Sequence, residues 1–198
     1  IGLKKIIDIK DIDLNEVKAG IKLQLLTYMN EMCKQESAEP AGAFYYNLIE
    51  PMVKASQNMS DEQIEEELRK QFKMRGLILA DVDIIRKMDK NLDTGSSNII
   101  PATINKDETL SKKASNISKQ QFEYLQKYTN KIIKQISEEI LSGNINIKPY
   151  YNTKNKKTPC EYCTYKSICQ FGNGICKKEY NYISNLEKEA ILEMMKEK

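Results

Sequence analysis

No apolar run in this sequence reaches the length a membrane-spanning helix needs. The chain does not open on the basic, apolar and small-residue pattern of a secretory signal. Net charge is small: 31 basic residues face 28 acidic ones, a balance of +3 that does not by itself announce a nucleic-acid protein. Cysteine is scarce and odd in number, with four of the five residues crowded toward the C-terminal end. That excludes the paired framework of a small secreted domain and points to a reducing, cytoplasmic compartment. No internal repeat is present.

What is present suffices for a core. The chain has 198 residues, 40% of them hydrophobic, which is one large domain or one and a half small ones. It opens abruptly on "LKKIIDIK", residues 3–10, which reads as a β-branched strand and suggests a C-terminal piece of something longer. Val17, Ile21, Leu25, Met29 and Met32 recur at helical spacing and predict one helix over 14–35. "AGAFYYNLI", 41–49, predicts a strand. Ser60 with Gln63 forms a capping box before an acidic helix over 61–73. "RGLILA", 75–80, is a buried strand or a helix end, and 82–89 a short helix. Residues 93–118 read as irregular with one extended piece at 99–104. Ser118 and Gln121 form a second capping box, opening a helix to about Leu141 with Phe122, Leu125, Ile132, Ile136 and Ile140 inward and Gly143 as its stop. The order predicts an α/β or α+β fold with helix in the majority.

Charge is uneven. From Lys148 to Lys178 seven lysines face the single carboxylate of Glu161, while acids gather in "SDEQIEEE" at 60–67. A basic segment suits phosphate contact, although a lysine run alone is more often a solvated tail. Inside it, "PCEYCTYKSIC" carries Cys160, Cys163 and Cys169, three thiols spaced like metal ligands and lacking the fourth that a closed tetrahedral site needs.

Two further patterns carry chemistry. Asp8 and Lys10 lie two apart, so on a strand they share a face. The carboxylate can ligate Mg²⁺ or Mn²⁺, and the ammonium can hold a water for attack on a phosphodiester. Alone, D-x-K is easily a chance ion pair. Gln24 and Tyr28 are four apart and share a helix face; alone they merely flank the apolar stripe.

Taken together, a D-x-K strand, a Q-x-x-x-Y helix and a distant C-x2-C-x5-C run resemble the RecB-type branch of the PD-(D/E)xK nucleases that carry an iron–sulfur staple. "DLNEVKAGIKLQLLTYM", "EPAGAFYYNLIEPM", "MRGLILADVDIIRKMD" and "PCEYCTYKSICQF" are similar to the C-terminal nuclease domains of AddAB-type helicase–nucleases, and the resemblance spans essentially the whole chain.

The resemblance implies an α/β restriction-endonuclease-like core, truncated at its N-terminal side, with helical additions over residues 1–147. A basic, Cys-rich segment and a C-terminal helix over 148–198 would follow. It implies a metal-dependent exodeoxyribonuclease that processes double-strand DNA ends for recombinational repair by cutting the 5′-ended strand, paired with the motor subunit AddA. Asp8 and the carbonyl of Ile9 would hold Mg²⁺ or Mn²⁺, Lys10 would orient the attacking water, and Gln24 and Tyr28 would position the catalytic strand or the DNA. Cys160, Cys163 and Cys169 would supply three ligands of a [4Fe–4S] cluster, whose fourth lies upstream of the family's nuclease core.

Cys33 and Cys176 are the other thiols here, and neither belongs to that pattern. The cluster is therefore expected to be absent or incomplete in this chain. The family's second metal-binding Asp is missing, and Lys10 runs directly into "DIDLNEV", so little nuclease activity is expected of the chain alone. Two rivals stand beside this reading. One is a zinc-binding DNA module built on Cys160, Cys163, Cys169 and Cys176. The other is a docking domain without catalysis, in which Tyr45, Tyr46, Tyr150 and Tyr151 could stack bases.

Overall fold

A glycine ends the first helix earlier than the apolar stripe predicts. In the computed structural model, which describes residues 12–48, 59–111, 115–171 and 179–196, the expected helix over 14–35 is two helices. α1 is Leu14–Lys18 and α2 is Gln24–Gln35. Gly20 takes φ +78°. Its N–H donates to the Val17 carbonyl and that of Ile21 to Glu16, the paired bonds of a left-handed helix stop. In α2 the buried positions are Leu26 and Asn30, while Met32 is exposed, so the inward face is shifted from the expected stripe. The strand expected at 3–10 lies outside the described residues.

Two compact units are present among these residues. The first draws on residues 24–126. β1 (Gly42–Tyr45) pairs antiparallel with β2 (Arg75–Leu79), with Phe44 opposite Gly76. α3 (Asp61–Gln71) lies between them in sequence and begins at the expected capping box, Ser60 and Gln63 exchanging side-chain-to-backbone bonds. The ambiguous 75–80 segment is thus a strand, buried from Gly76 to Leu79. Asp81 caps α4 (Val82–Met88) through the amides of Asp83 and Ile84.

The stretch read as irregular folds back in short pieces. β3 (Gly95–Ser96) pairs with β4 (Thr103–Ile104), and β5 (Asn116–Ile117) joins β2 in parallel. Ile78, Ile85, Leu92, Ile100, Ala102 and Ile104 pack together, covered by Phe44, Met74, Val82 and Leu110.

A buried polar knot fixes this fold-back. Ser97 Oγ donates to Asp89 Oδ2 at 2.6 Å and accepts from the Ile99 and Ile100 amides at 3.0 and 3.1 Å. Both residues are buried. Ser97→Ala removes a partner from a buried carboxylate and from two amides. It is expected to cost about 2 to 3 kcal/mol in urea unfolding, within the range for buried groups left unsatisfied.

The second unit comprises residues 14–23 and 127–198. α5 (Lys119–Leu141) opens in the first unit at the expected Ser118–Gln121 box, enters the second at Lys127 and ends at Gly143, where the Gly143 and Asn144 amides bond back to Ile140 and Glu139. Phe122 and Leu125 are buried as expected. Further along, Tyr128 and Thr129 are the buried positions, while Ile136 and Ile140 are 41% and 70% exposed. The apolar period runs on, but among the described residues nothing buries those two isoleucines.

β6 (Tyr150–Asn152) and β7 (Asn181–Ile183) form a parallel pair. Between them come a 3-10 turn at Pro159–Tyr162 and α6 (Lys166–Cys169). α7 (Lys188–Lys196) buries Ile191, Leu192 and Met195. Asn15 clips this end by a two-way bond with the backbone of Leu186, at 3.1 and 2.9 Å.

Tyr128 Oη donates to the Lys18 carbonyl at 3.0 Å, and burial raises its phenol above the ordinary tyrosine value. A raised folded-state value means this contribution is whole below about pH 10 and is lost as pH rises through the folded value. Tyr128→Phe is expected to lower stability by about 1 kcal/mol at pH 8. It should also lessen the loss of stability that sets in as pH rises above about 10 in denaturant titrations.

Candidate functional site

Gln24 opens α2, and the helical rise places Tyr28 one turn on, along the same face. Gln24 Nε2 donates to Tyr28 Oη at 3.0 Å. Both side chains face solvent, Tyr28 with 60% of its surface exposed. The glutamine is therefore not buried among the neighbouring leucines, and its partner is the tyrosine. This bond uses the tyrosine oxygen as acceptor and leaves its hydroxyl proton to donate outward. Asp8, Ile9 and Lys10 lie outside the described residues, so of the four expected catalytic side chains the structure places Gln24 and Tyr28.

The cysteine run is held by local backbone chemistry. Thr158 caps the 3-10 turn by accepting from the Cys160 amide, with Pro159 at its first position. Cys163 ends that turn, and Cys169 closes α6, where Gln170 turns left-handed at φ +45°. Cys160 and Cys169 are half-buried, Cys163 is exposed, and all three are free thiols. Cys33, on α2, is a half-buried free thiol, and Cys176 lies outside the described residues.

Among the described residues no three Cys, His, Asp or Glu side chains are gathered closely enough to hold a metal ion. The donor type suits an iron–sulfur centre. The arrangement of these three thiols does not supply one.

The tyrosines weighed for base stacking are engaged with other rings at two of their positions. Tyr46 stacks on Phe72 with ring centres 6.1 Å apart. Tyr151 meets Tyr180 and Tyr182 at 5.4 and 5.8 Å, and Phe171 closes on Tyr180 at 5.0 Å. Tyr162, Tyr165 and Tyr182 face solvent, and sequence reading passed over them. The signal was available: Tyr162 and Tyr165 alternate with cysteines and Lys166 in a turn too short to bury them.

Family comparison agrees with this pattern of residues. The model of the PD-(D/E)XK nuclease superfamily matches residues 4–170, a span that takes in Asp8, Lys10, Gln24, Tyr28 and the three cysteines. The chain belongs to that superfamily. It is 39% identical over 191 residues to an ATP-dependent helicase/deoxyribonuclease subunit of Thermoanaerobacter sp. (strain X514), covering 94% of this chain and 16% of that protein. The proteins of the same name from Acetivibrio thermocellus and Bacillus thuringiensis (strain Al Hakam) are 37% and 38% identical, over 94% and 95% of this chain. The chain spans about a sixth of the length of these relatives. No helix among the described residues is long and apolar enough to cross a membrane.

Proposed function

We propose that this chain is the nuclease domain of an AddB-type helicase–nuclease subunit, hydrolysing phosphodiesters of linear DNA from double-strand ends in recombinational repair. The observation that carries this is the superfamily match across residues 4–170, supported by relatives named deoxyribonuclease subunits along 94% of the chain. Asp8 and the Ile9 carbonyl would hold Mg²⁺ or Mn²⁺, hard cations that favour oxygen donors. Bound there, the metal supplies charge neutralisation at the scissile phosphate and acidifies a water. The Lys10 ammonium orients the attacking water. Tyr28, its oxygen engaged by Gln24, has its proton free for a DNA phosphate oxygen.

The substrate strand is the 5′-ended one, and the partner is the AddA motor subunit. In the longer subunit Cys160, Cys163 and Cys169 would supply three ligands of a [4Fe–4S] cluster, drawn together by a fourth from upstream of the nuclease core. Digestion of linear duplex DNA labelled at either end, by the longer subunit with AddA, tests strand choice: loss of the 5′-ended strand is expected, and loss of only the 3′-ended strand defeats the assignment. Anaerobic iron and sulfide analysis tests the cluster. About four irons with matching sulfide are expected for the longer subunit, and one zinc without sulfide favours a zinc site. Tyr28→Phe is expected to raise KM for DNA about three- to tenfold with little change in kcat, as loss of one phosphate hydrogen bond does.

A further inference from the structure

The β6–β7 pair is parallel and three residues long. Parallel ribbons rarely stand alone, because their faces and edges need cover. On the β6 side, Lys157 turns back to bridge Asn152. On the other side, β7 has no strand partner among the described residues.

The register says which groups are left over. Asn181 N–H donates to the Pro149 carbonyl at 2.9 Å. Alternate residues of a parallel strand bond to the same neighbour, so Asn181 and Ile183 face β6, and the N–H and C=O of Tyr182 face the open edge. That edge borders a groove of about 480 Å³. Tyr182 and Ile183 of β7, Ile132, Gln135 and Ile136 of α5, and Gly20 are among its lining residues. Ile132 Cγ2 and Ile136 Cδ1 come within 3.5 Å of the position a Cβ on Gly20 would take, so the isoleucines pack on a backbone that has no side chain of its own.

The groove is of mixed polarity, with Asn15, Lys18 and Glu139 also in its lining, and apolar side chains continue along α5 and past its end. Ile136, Ile140, Leu141, Ile145 and Ile147 are 41%, 70%, 86%, 91% and 52% exposed. A run of exposed large side chains of this kind marks a surface that is covered in its working state.

We infer that the open edge of β7, with the isoleucine ridge of α5 beside it, receives an extended strand from another part of the helicase–nuclease polypeptide. Tyr182 donates and accepts the backbone hydrogen bonds of that strand, and alternate apolar side chains seat against Ile136 and Ile140. The backbone edge selects an extended peptide. The pair of bonds at Tyr182 is too few to hold a free partner against the cost of association. A segment of the same polypeptide is held at high effective concentration, so few bonds suffice. The relatives have room for such a segment, since this chain spans 16% of their length.

The inference rests on the chain being part of that longer polypeptide, and its test reads no cleavage, so a failure of the nuclease reading would show separately. Amide hydrogen exchange is measured at residue resolution in the longer subunit, for the wild type and for Ile136→Lys/Ile140→Lys. The Tyr182 amide is expected to exchange at least about tenfold faster in the variant, with Asn181 and Ile183 unchanged because β6 still protects them. Equal Tyr182 rates in the two proteins overturn the inference. So does protection that falls on dilution, which assigns the edge to a second copy, or that requires the other subunit. If the double variant also releases Asn181 and Ile183, Ile140→Gln takes its place under the same criteria.

Discussion

Asp8→Ala in the longer subunit is expected to lower the rate of linear-DNA digestion about a thousandfold, roughly 4 kcal/mol of transition-state stabilisation. The argument is electrostatic. Phosphodiester hydrolysis accumulates negative charge on the phosphoryl oxygens, and a divalent cation offsets it best when a carboxylate fixes its position. On the proposed role of Asp8, removing that carboxylate would loosen the metal and leave the water without its acidifying partner. Lys10→Ala should fall nearly as far, because on the proposed assignment the water would lose its orienting ammonium. Lys10→Arg should recover little, since a planar fork does not replace a compact point donor.

The two losses are expected to be non-additive, as they are for residues acting on one water, so the double variant should resemble Asp8→Ala. Raising Mn²⁺ should partly restore Asp8→Ala and leave Lys10→Ala unchanged. Initial digestion rates across a metal titration read both. Wild-type rates in Asp8→Ala would defeat the assignment of the site.

Gly76→Ala is expected to cost about 4 kcal/mol, at the severe end for one substitution. Gly76 sits in the middle of the β1–β2 ladder, opposite Phe44, with φ +148°. A Cβ there would lie 2.0 Å from the Ala43 carbonyl oxygen and 3.0 Å from its carbon. Both are backbone atoms of the paired strand, so no side chain can swing aside. The strands must part or the backbone must rotate, and either response disturbs Leu77, Ile78 and Leu79, all buried. Urea denaturation of Gly76→Ala beside Gly95→Ala separates the causes. Gly95 also has positive φ, at +95°, but nothing lies within 4 Å of its would-be Cβ. The Gly95 variant therefore reports backbone strain alone, about 1 kcal/mol.

The chain's own chemistry settled more of this protein than its composition suggests. Both capping boxes were legible, because the bonds between Ser60 and Gln63 and between Ser118 and Gln121 are local and need no distant neighbour. Gly143 stopped its helix where the sequence placed it, for the same reason. The D-x-K, Q-x-x-x-Y and cysteine spacings pointed to the nuclease superfamily ahead of any tertiary structure, since spacing on a helix or strand decides which side chains can cooperate.

Readings that needed a neighbour failed or stayed open in several places, although Phe122 and Leu125 are buried as expected. The stripe from Val17 to Met32 kept helical period across Gly20, and periodicity cannot register a left-handed backbone stop. Ile136 and Ile140 carry the same period as Phe122 and Leu125, yet burial depends on what packs opposite, and only the first half of α5 meets a core. The segment at 75–80 was too short for period to separate strand from helix, and pairing with β1 and β5 decided it. The open edge at Tyr182 is likewise a tertiary fact, since it depends on which strands come to pair, whereas the bond from Gln24 to Tyr28 lies within one helix and follows from their spacing of four.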